Sequence, residues 1–262
     1  MEWSTHRVVY EVPRPGRPAA RYDVEVAAGE EEVAGLVADG YLLRRGLLGP
    51  EAVARYREAI DALTDAELAS GCTPTPGNGY YLRDLLDKGD AFDDLADWWP
   101  TASVARAVLG PQVAVRVDAR VAFEGDEGAG LPWHLHMPVV PTVVPPFFSH
   151  PHQVHVLAYL DPVTPEEGEL VLAPGTHTDP AATPEGLDGG STERFTFDAG
   201  DAVIVHGNLW HRTEPASRSA GRRRLLFVGY CPAWMRHEHR PVPGQPGDDR
   251  PWPSELRGGF RW

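Results

Sequence analysis

The sequence predicts an α+β fold in which N-terminal helices precede a β-sandwich or barrel. The chain has 262 residues, 42% of them hydrophobic, which suits one domain with a sizeable core. The spacing of apolar residues changes at Val113 from the helical period of about 3.6 to the strand period of 2. Turn residues separate the short strands that follow, and no repeat or linker divides the chain. We therefore expect a single domain over residues 1–262.

The N-terminal part is expected to hold an arm and then helices. Residues 1–30 alternate in short stretches broken by prolines, which is typical of edge strands or an arm. Helices follow because apolar side chains recur on one face, with Gly40 as a stop signal and Pro50 as a first-turn residue. The predicted elements are helices over Glu30–Asp39, Pro50–Leu63, Leu82–Leu86 and Ala91–Leu109, a strand over Tyr41–Leu47 and a loop over Cys72–Gly79.

The C-terminal part is expected to form the barrel, over residues 113–236. Residues 113–121 alternate between apolar side chains and a set that includes Arg116, Asp118 and Arg120, which predicts a half-buried strand. Further strands are predicted over Gln153–Leu160, Gly168–Ala173, Arg194–Asp198, Ala202–His206 and Arg223–Tyr230, followed by an irregular Pro/Gly-rich tail over residues 240–262.

Composition excludes several classes of function. The net charge of −14 disfavours a nucleic-acid partner, because such proteins need a basic face to replace counterions. Two cysteines cannot build a disulfide framework or a cysteine-rich zinc site. There is no apolar run long enough to span a membrane and no secretory signal pattern at the N-terminus. We therefore expect a cytoplasmic protein with no membrane partner.

Histidine is the most informative residue type, because neutral imidazole is the commonest ligand of borderline transition metals. Most of the 11 histidines lie in the β half. His134 and His136 are two residues apart, so on a strand both side chains would point to one face. His211 follows the apolar strand Ala202–Val205 and is the candidate third ligand. A single histidine is more often a hydrogen-bonded structural residue, and the spacing alone does not choose between zinc, iron and coincidence.

Four stretches resemble the phytanoyl-CoA dioxygenase family of Fe(II)- and 2-oxoglutarate-dependent oxygenases. Asp39–Leu47 looks like the N-terminal start of that family. Trp133-His134-Leu135-His136 stands where the family has W-H-x-D. The remaining two are Ala158–His177, which looks like its central strand, turn and strand, and Gly200–Trp234, which is similar to its distal-histidine and arginine segment. The likeness covers about residues 35–236, roughly three quarters of the chain.

The resemblance implies a double-stranded β-helix with the N-terminal helices packed on one side. It also implies a facial triad of two histidines and one carboxylate, with iron positions left open for 2-oxoglutarate and O2. Carried across residue by residue, His134 is the first metal ligand and His211 the distal one. The carboxylate is absent, because His136 stands in its place.

Three interpretations of His136 follow. In the first, His136 binds the metal and gives a three-histidine iron site, whose higher positive charge alters its affinity for anionic co-substrates. In the second, the ring turns away and leaves a position for water, chloride or substrate. In the third, metal binding is lost or a different metal is bound, and the protein is a binding module. The residues alone do not choose among them.

The resemblance also implies an arginine that pairs with the far carboxylate of 2-oxoglutarate, about a dozen residues after the distal histidine. Counting forward from His211 favours Arg222, and counting back from Tyr230 favours Arg223. In a strand Arg222 and Arg224 share a face opposite to Arg223, so the register stays open. Thr213 is expected beside the co-substrate.

Two regions are expected to line the pocket. His155 lies in a strand that should line the barrel and is a candidate contact of co-substrate or substrate. Tyr81 and Arg83 lie where the family often reaches its pocket, and the loop Pro141–Pro151 is expected at the mouth.

The resulting expectation is an oxygenase that uses Fe(II), 2-oxoglutarate and O2 on a small organic molecule. The reaction would be a hydroxylation, desaturation or cyclisation in bacterial specialised metabolism. One alternative is a three-histidine iron dioxygenase that does not consume 2-oxoglutarate. The other is a catalytically silent jelly-roll protein that binds a ligand.

Overall fold

The computed structural model describes residues 3–75, 78–123, 130–136, 152–179, 181–187, 189–217, 221–233 and 235. The predicted mouth loop Pro141–Pro151 and the predicted tail over 240–262 lie outside these residues. The helices are α1 Glu30–Asp39, α2 Pro50–Ala69, α3 Trp99–Leu109 and α4 Pro184–Leu187. The strands are β1 His6–Arg14, β2 Arg17–Val26, β3 Tyr41–Arg44, β4 Tyr80–Leu82, β5 Val113–Ala122, β6 Leu131–His134, β7 Val154–Tyr159, β8 Leu170–Leu172, β9 Glu193–Phe195, β10 Ala202–His206, β11 His211–Thr213 and β12 Arg223–Pro232.

Two antiparallel sheets form the barrel. The larger has the strand order β3-β10-β7-β12-β5-β4, and the smaller has the order β6-β11-β8-β9. From β7 onwards the chain passes repeatedly from one sheet to the other, so that strands distant in sequence become neighbours. This winding is a double-stranded β-helix, as the family resemblance implies.

The helices α1, α2 and α3 pack on the outer face of the larger sheet. The apolar side chains of β5, among them Val115 and Val117, are buried there together with Tyr56 of α2 and Val104 of α3. A second apolar cluster, which includes Leu157, Leu172 and Val203, fills the space between the two sheets. β1 and β2 form a separate hairpin that corresponds to the predicted arm.

Several predicted elements agree with the structure and others need correction. α1 has the predicted bounds and ends at Gly40, whose φ of 86° is left-handed. α2 runs six residues beyond the predicted end at Leu63. The predicted helix over Leu82–Leu86 is wrong, because Leu82 ends β4 and only a single 3₁₀ turn follows. Tertiary packing of these apolar side chains overrides their helical spacing.

The strand β5 also differs from the prediction. It is not half exposed, since Arg116 on its polar face is only 7% exposed. That face looks into the barrel and not into solvent. Among the described residues, no helix is long and apolar enough to cross a bilayer.

Candidate metal centre

Three histidines converge where two short strands of the smaller sheet pair. His211 of β11 lies directly opposite His134 of β6 in the antiparallel register. The ligand atoms of His134, His136 and His211 all lie within 4.8 Å of one another. Residues 77 positions apart in the chain are therefore neighbours because of strand pairing.

Backbone carbonyls set the tautomers of two of these rings. Nδ1 of His134 lies 2.8 Å from the Pro132 carbonyl oxygen, and Nδ1 of His211 lies 2.8 Å from the Leu209 carbonyl oxygen. Each Nδ1–H donates to its carbonyl, so each Nε2 keeps its lone pair. This is the usual arrangement behind a metal-binding imidazole.

His136 lies two residues beyond the end of β6, held by a hydrogen bond from its backbone N–H to the Gly207 carbonyl at 3.0 Å. Its Nε2 lies 2.9 Å from Nε2 of His211. Its Nδ1 is buried and has no hydrogen-bond partner among the residues that the structure describes. The ring therefore points its Nε2 towards the same point as His211, which corrects the expectation that the pair shares one strand.

Burial keeps these rings neutral. Desolvation lowers the pKa of the half-buried His134, and it lowers the pKa values of the half-buried His136 and the buried His211 well below the ordinary range. Neutral imidazoles can donate lone pairs to a cation, and three of them converging in a buried cluster fit a transition-metal ion. The residues present thus fit an iron ion, with no carboxylate in the described set of ligands.

A cavity of about 310 Å³ opens beside the three rings. It is walled by the inner faces of both sheets. His155 lines it, with its ring 4.4 Å from that of His136 between centroids and its Nε2 3.1 Å from Oε1 of Gln153. Thr213 and the predicted rim residues Tyr81 and Arg83 also line it.

A smaller cavity of about 60 Å³ adjoins the first and shares Thr213 and Tyr159 with it. Arg223 lines this side cavity and donates from Nη1 to the Glu167 carbonyl. Arg222 instead points outwards to Asp65 of α2 at 2.5 Å and is not among the described residues that line either cavity, so the geometry does not favour it as the anchor.

Arg224 also lines the side cavity, but its guanidinium is held on the side of α2. It donates to Asp61 of α2 at 2.7 and 2.9 Å and to Asp161 at 3.1 Å. Arg223 lies on the same strand face as the cavity-lining Leu225, two residues further along β12, so the geometry favours it over Arg222 and Arg224 as the candidate anchor.

The sequence reasoning did not identify the polar face of β5 as part of the site. Arg116, Asp118 and Arg120 all line the main cavity. Their alternation with apolar residues predicts a half-buried strand, whereas in a closed barrel the polar face of such a strand lies towards the interior. The signal that could have identified them is their position immediately before the histidine segment.

Comparisons with known proteins agree with this architecture. The family described as "Phytanoyl-CoA dioxygenase (PhyH)" matches residues 36–225. A protein of Aspergillus fumigatus named "Dioxygenase af480" is 30% identical over 221 residues, which cover 76% of this chain and 67% of that protein.

Two solved structures share the fold. One is the non-heme alpha ketoglutarate dependent epimerase SnoN from nogalamycin biosynthesis, 20% identical with a TM-score of 0.61, over 78% of this chain and 82% of that chain. The other is HygX from Streptomyces hygroscopicus with nickel and 2-oxoglutarate bound, 17% identical with a TM-score of 0.62, over 79% of this chain and 88% of that chain.

Proposed function

The chain belongs to the phytanoyl-CoA dioxygenase family and is an enzyme of the dioxygenase type, and on this premise we propose that it oxidises a small organic molecule at an iron centre held by three histidines. Iron(II) and 2-oxoglutarate are the cofactors of this family. When bound, they supply the activation of O2 that oxidises an unreactive carbon, with 2-oxoglutarate consumed.

The observation that carries the proposal is the 2.9 Å approach of the Nε2 atoms of His136 and His211, beside His134. It favours the interpretation in which His136 binds the metal over the one in which its ring turns away. The three rings would hold the ion on one side and leave the cavity side open. Because imidazole is neutral, this centre carries one positive charge more than a centre with a carboxylate.

The residues around the cavity would bind and orient the co-substrate. Arg223 and Thr213 would hold the far carboxylate of 2-oxoglutarate in the side cavity, since an arginine fork matches a carboxylate. Leu170 and Leu225 line both cavities and would exclude water from the reacting groups. His155, beside His136, would contact the co-substrate or the substrate.

The substrate would be a small organic molecule that enters the main cavity and is hydroxylated, desaturated or cyclised. A role in bacterial specialised metabolism is part of the proposal. Its support is that the similar fold of SnoN belongs to nogalamycin biosynthesis. The cavity of about 310 Å³ is at the lower end of the range typical of small-molecule sites.

The test is an anaerobic titration of the purified protein with Fe(II) and then 2-oxoglutarate. A weak visible charge-transfer band is expected if both bind the same centre, together with one iron per chain by elemental analysis. The matched variant His136→Asp restores a carboxylate and should keep both signals. His136→Ala should lose most of the iron.

Two outcomes would redirect the proposal. Bound iron without the band, and without 2-oxoglutarate consumption, would favour the three-histidine dioxygenase that does not use 2-oxoglutarate. Absence of any tight metal would favour the silent ligand-binding protein.

A further inference from the structure

We propose that Arg120 binds a carboxylate group in the main cavity, as a second anion site distinct from Arg223. The inference rests on the proposed function, because the carboxylate belongs either to the primary substrate or to 2-oxoglutarate itself. The chemistry is the same in both cases, and the experiment below separates the two sources.

The position of Arg120 in the barrel comes from strand register. It lies on β5 opposite Leu225 of β12 and opposite Tyr81 of β4. Its side chain lines both the main and the side cavity. It lines the main cavity together with His134 of the metal centre. Arg120 therefore stands at the junction between the histidine cluster and the side cavity.

Arg116, the neighbouring arginine in the cavity wall, has carboxylate partners. It contacts Asp118 at 2.8 and 3.1 Å and Asp84 at 3.4 Å. Asp118 also accepts the backbone N–H of Asp84 at 2.8 Å, and Asp84 is the one described non-glycine residue with a positive φ. The positive charge of Arg116 is therefore neutralised within the wall of the cavity.

Arg120 is bound differently. Its Nε donates to the Asn78 carbonyl at 2.8 Å, which fixes the plane of the guanidinium. Among the described residues, no carboxylate lies within ion-pair distance of it. Among the described residues the two terminal nitrogens have no hydrogen-bond partner, and neither of them is fully buried, so they are accessible in the wall that Arg120 forms. A guanidinium presented in this way is ready to accept a carboxylate as a two-point ligand.

The positive charge of the metal centre also favours the binding of an anion beside Arg120. With histidine where the family has aspartate, the described cavity wall has Asp118 as its carboxylate, and that group is taken up by Arg116. Positive charge in a partly buried wall is costly unless an anion accompanies it. A bound carboxylate would offset the charge of Arg120.

The walls near Arg120 suggest the rest of the ligand. The rings of Tyr81 and Phe227 lie at 25° to each other with centroids 6.5 Å apart, and both line the main cavity. Aromatic faces favour a flat or apolar body beside the charged group. An aromatic or unsaturated carboxylic acid would satisfy both features.

The experiment measures binding to the full chain loaded with Ni(II), by calorimetry, with two probes. The first is 2-oxoglutarate alone. The second is benzoate added to the complex with saturating 2-oxoglutarate, with benzamide as the uncharged match. The test variants are Arg120→Gln and the charge-preserving Arg120→Lys. The control variant is Arg194→Gln, which removes a distant arginine that pairs with Glu169 and Glu214 outside the cavity.

The wild type should bind benzoate at least tenfold more tightly than benzamide. If the site serves the substrate, Arg120→Gln removes the preference for benzoate and leaves the affinity for 2-oxoglutarate within about threefold of the wild type. Arg120→Lys then keeps most of the preference for benzoate. If the site serves 2-oxoglutarate, Arg120→Gln weakens 2-oxoglutarate binding at least tenfold and Arg194→Gln does not. Both results support an anion site at Arg120, and melting temperatures within a few degrees of wild type show that the variants are folded.

The inference is overturned if Arg120→Gln changes neither affinity. Failure of the proposed function looks different, because the wild type itself would then fail to bind 2-oxoglutarate in the presence of Ni(II).

Discussion

Replacing Asp61 with Asn is expected to weaken 2-oxoglutarate binding without changing metal binding. Asp61 on α2 accepts from Nε and Nη2 of Arg224 at 2.9 and 2.7 Å. Asp161 holds the same guanidinium and also accepts the backbone N–H of Arg224 at 2.7 Å. These contacts keep Arg224 on the outer face of β12, and the alternation of the strand then turns Arg223 inwards.

The size of the effect follows from these contacts. Asn preserves the volume but loses the charge and one of the two acceptors, and Arg224 is only 13% exposed. Charge-assisted hydrogen bonds contribute about 1.5–3 kcal/mol. Because Asp61 is 32% exposed and Asp161 still holds Arg224, we reduce this to about 1 kcal/mol. If 2-oxoglutarate binding has to restore the ordered start of β12, a cost of about 1 kcal/mol lowers its affinity roughly fivefold.

Calorimetry on the Ni(II)-loaded protein measures both affinities. The matched control is Asp65→Asn, one turn along the same helix, because Asp65 is 60% exposed and pairs with Arg222, which does not face the cavity. The control should leave 2-oxoglutarate affinity unchanged. Equal losses in the two variants, or a loss of metal affinity in Asp61→Asn, would refute the reasoning.

Three further predictions concern the co-substrate anchor and the buried histidines. Arg223→Gln should weaken 2-oxoglutarate binding at least tenfold in the same calorimetric assay, with metal affinity unchanged, because it removes a two-point carboxylate contact. Burial, with smaller contributions from His177 and His152, lowers the pKa of His206 to about 3. At this position the unfolded chain therefore takes up a proton first, so the contribution of His206 to the free energy of unfolding should fall below pH 6.5 by about 1.4 kcal/mol per pH unit and continue to fall towards pH 3. Urea denaturation at pH 7.5 and 5.5 measures this, and His206→Gln should flatten the dependence. Gly40→Ala should lower the melting temperature by several degrees, because φ is 86° and a Cβ would lie 2.6 Å from Nδ1 of His177; an unchanged melting temperature would contradict this packing.

Parts of the site could be predicted from the sequence because they depend on local spacing or on the family pattern. His134, His136 and His211 are brought together as predicted, and Thr213 and His155 line the cavity. These residues lie on or beside strands whose order the family resemblance implies. Whether each of them acts as proposed stays a prediction.

Other features could not be predicted, for physical reasons. β6 and β11 have four and three residues, too few for a period of 2 to be recognised. The inward face of Arg223 follows from the pairing of β12 with β5, and its neighbour Arg224 is anchored by Asp61, a residue more than 160 positions earlier. The strand that carries Arg120 would show the same alternation of apolar and polar residues whether its polar face met water or the barrel interior. Only the closure of the barrel decides which of the two environments that face meets.

The most direct test of the central claim is a crystal structure of the protein with Fe(II) and 2-oxoglutarate, grown without oxygen. The account predicts one iron bound by Nε2 of His134, His136 and His211, each at about 2.0–2.2 Å, the range typical of metal–imidazole bonds. An iron bound by His134 and His211 with the His136 ring turned away, or two of these rings on different ions, would contradict it.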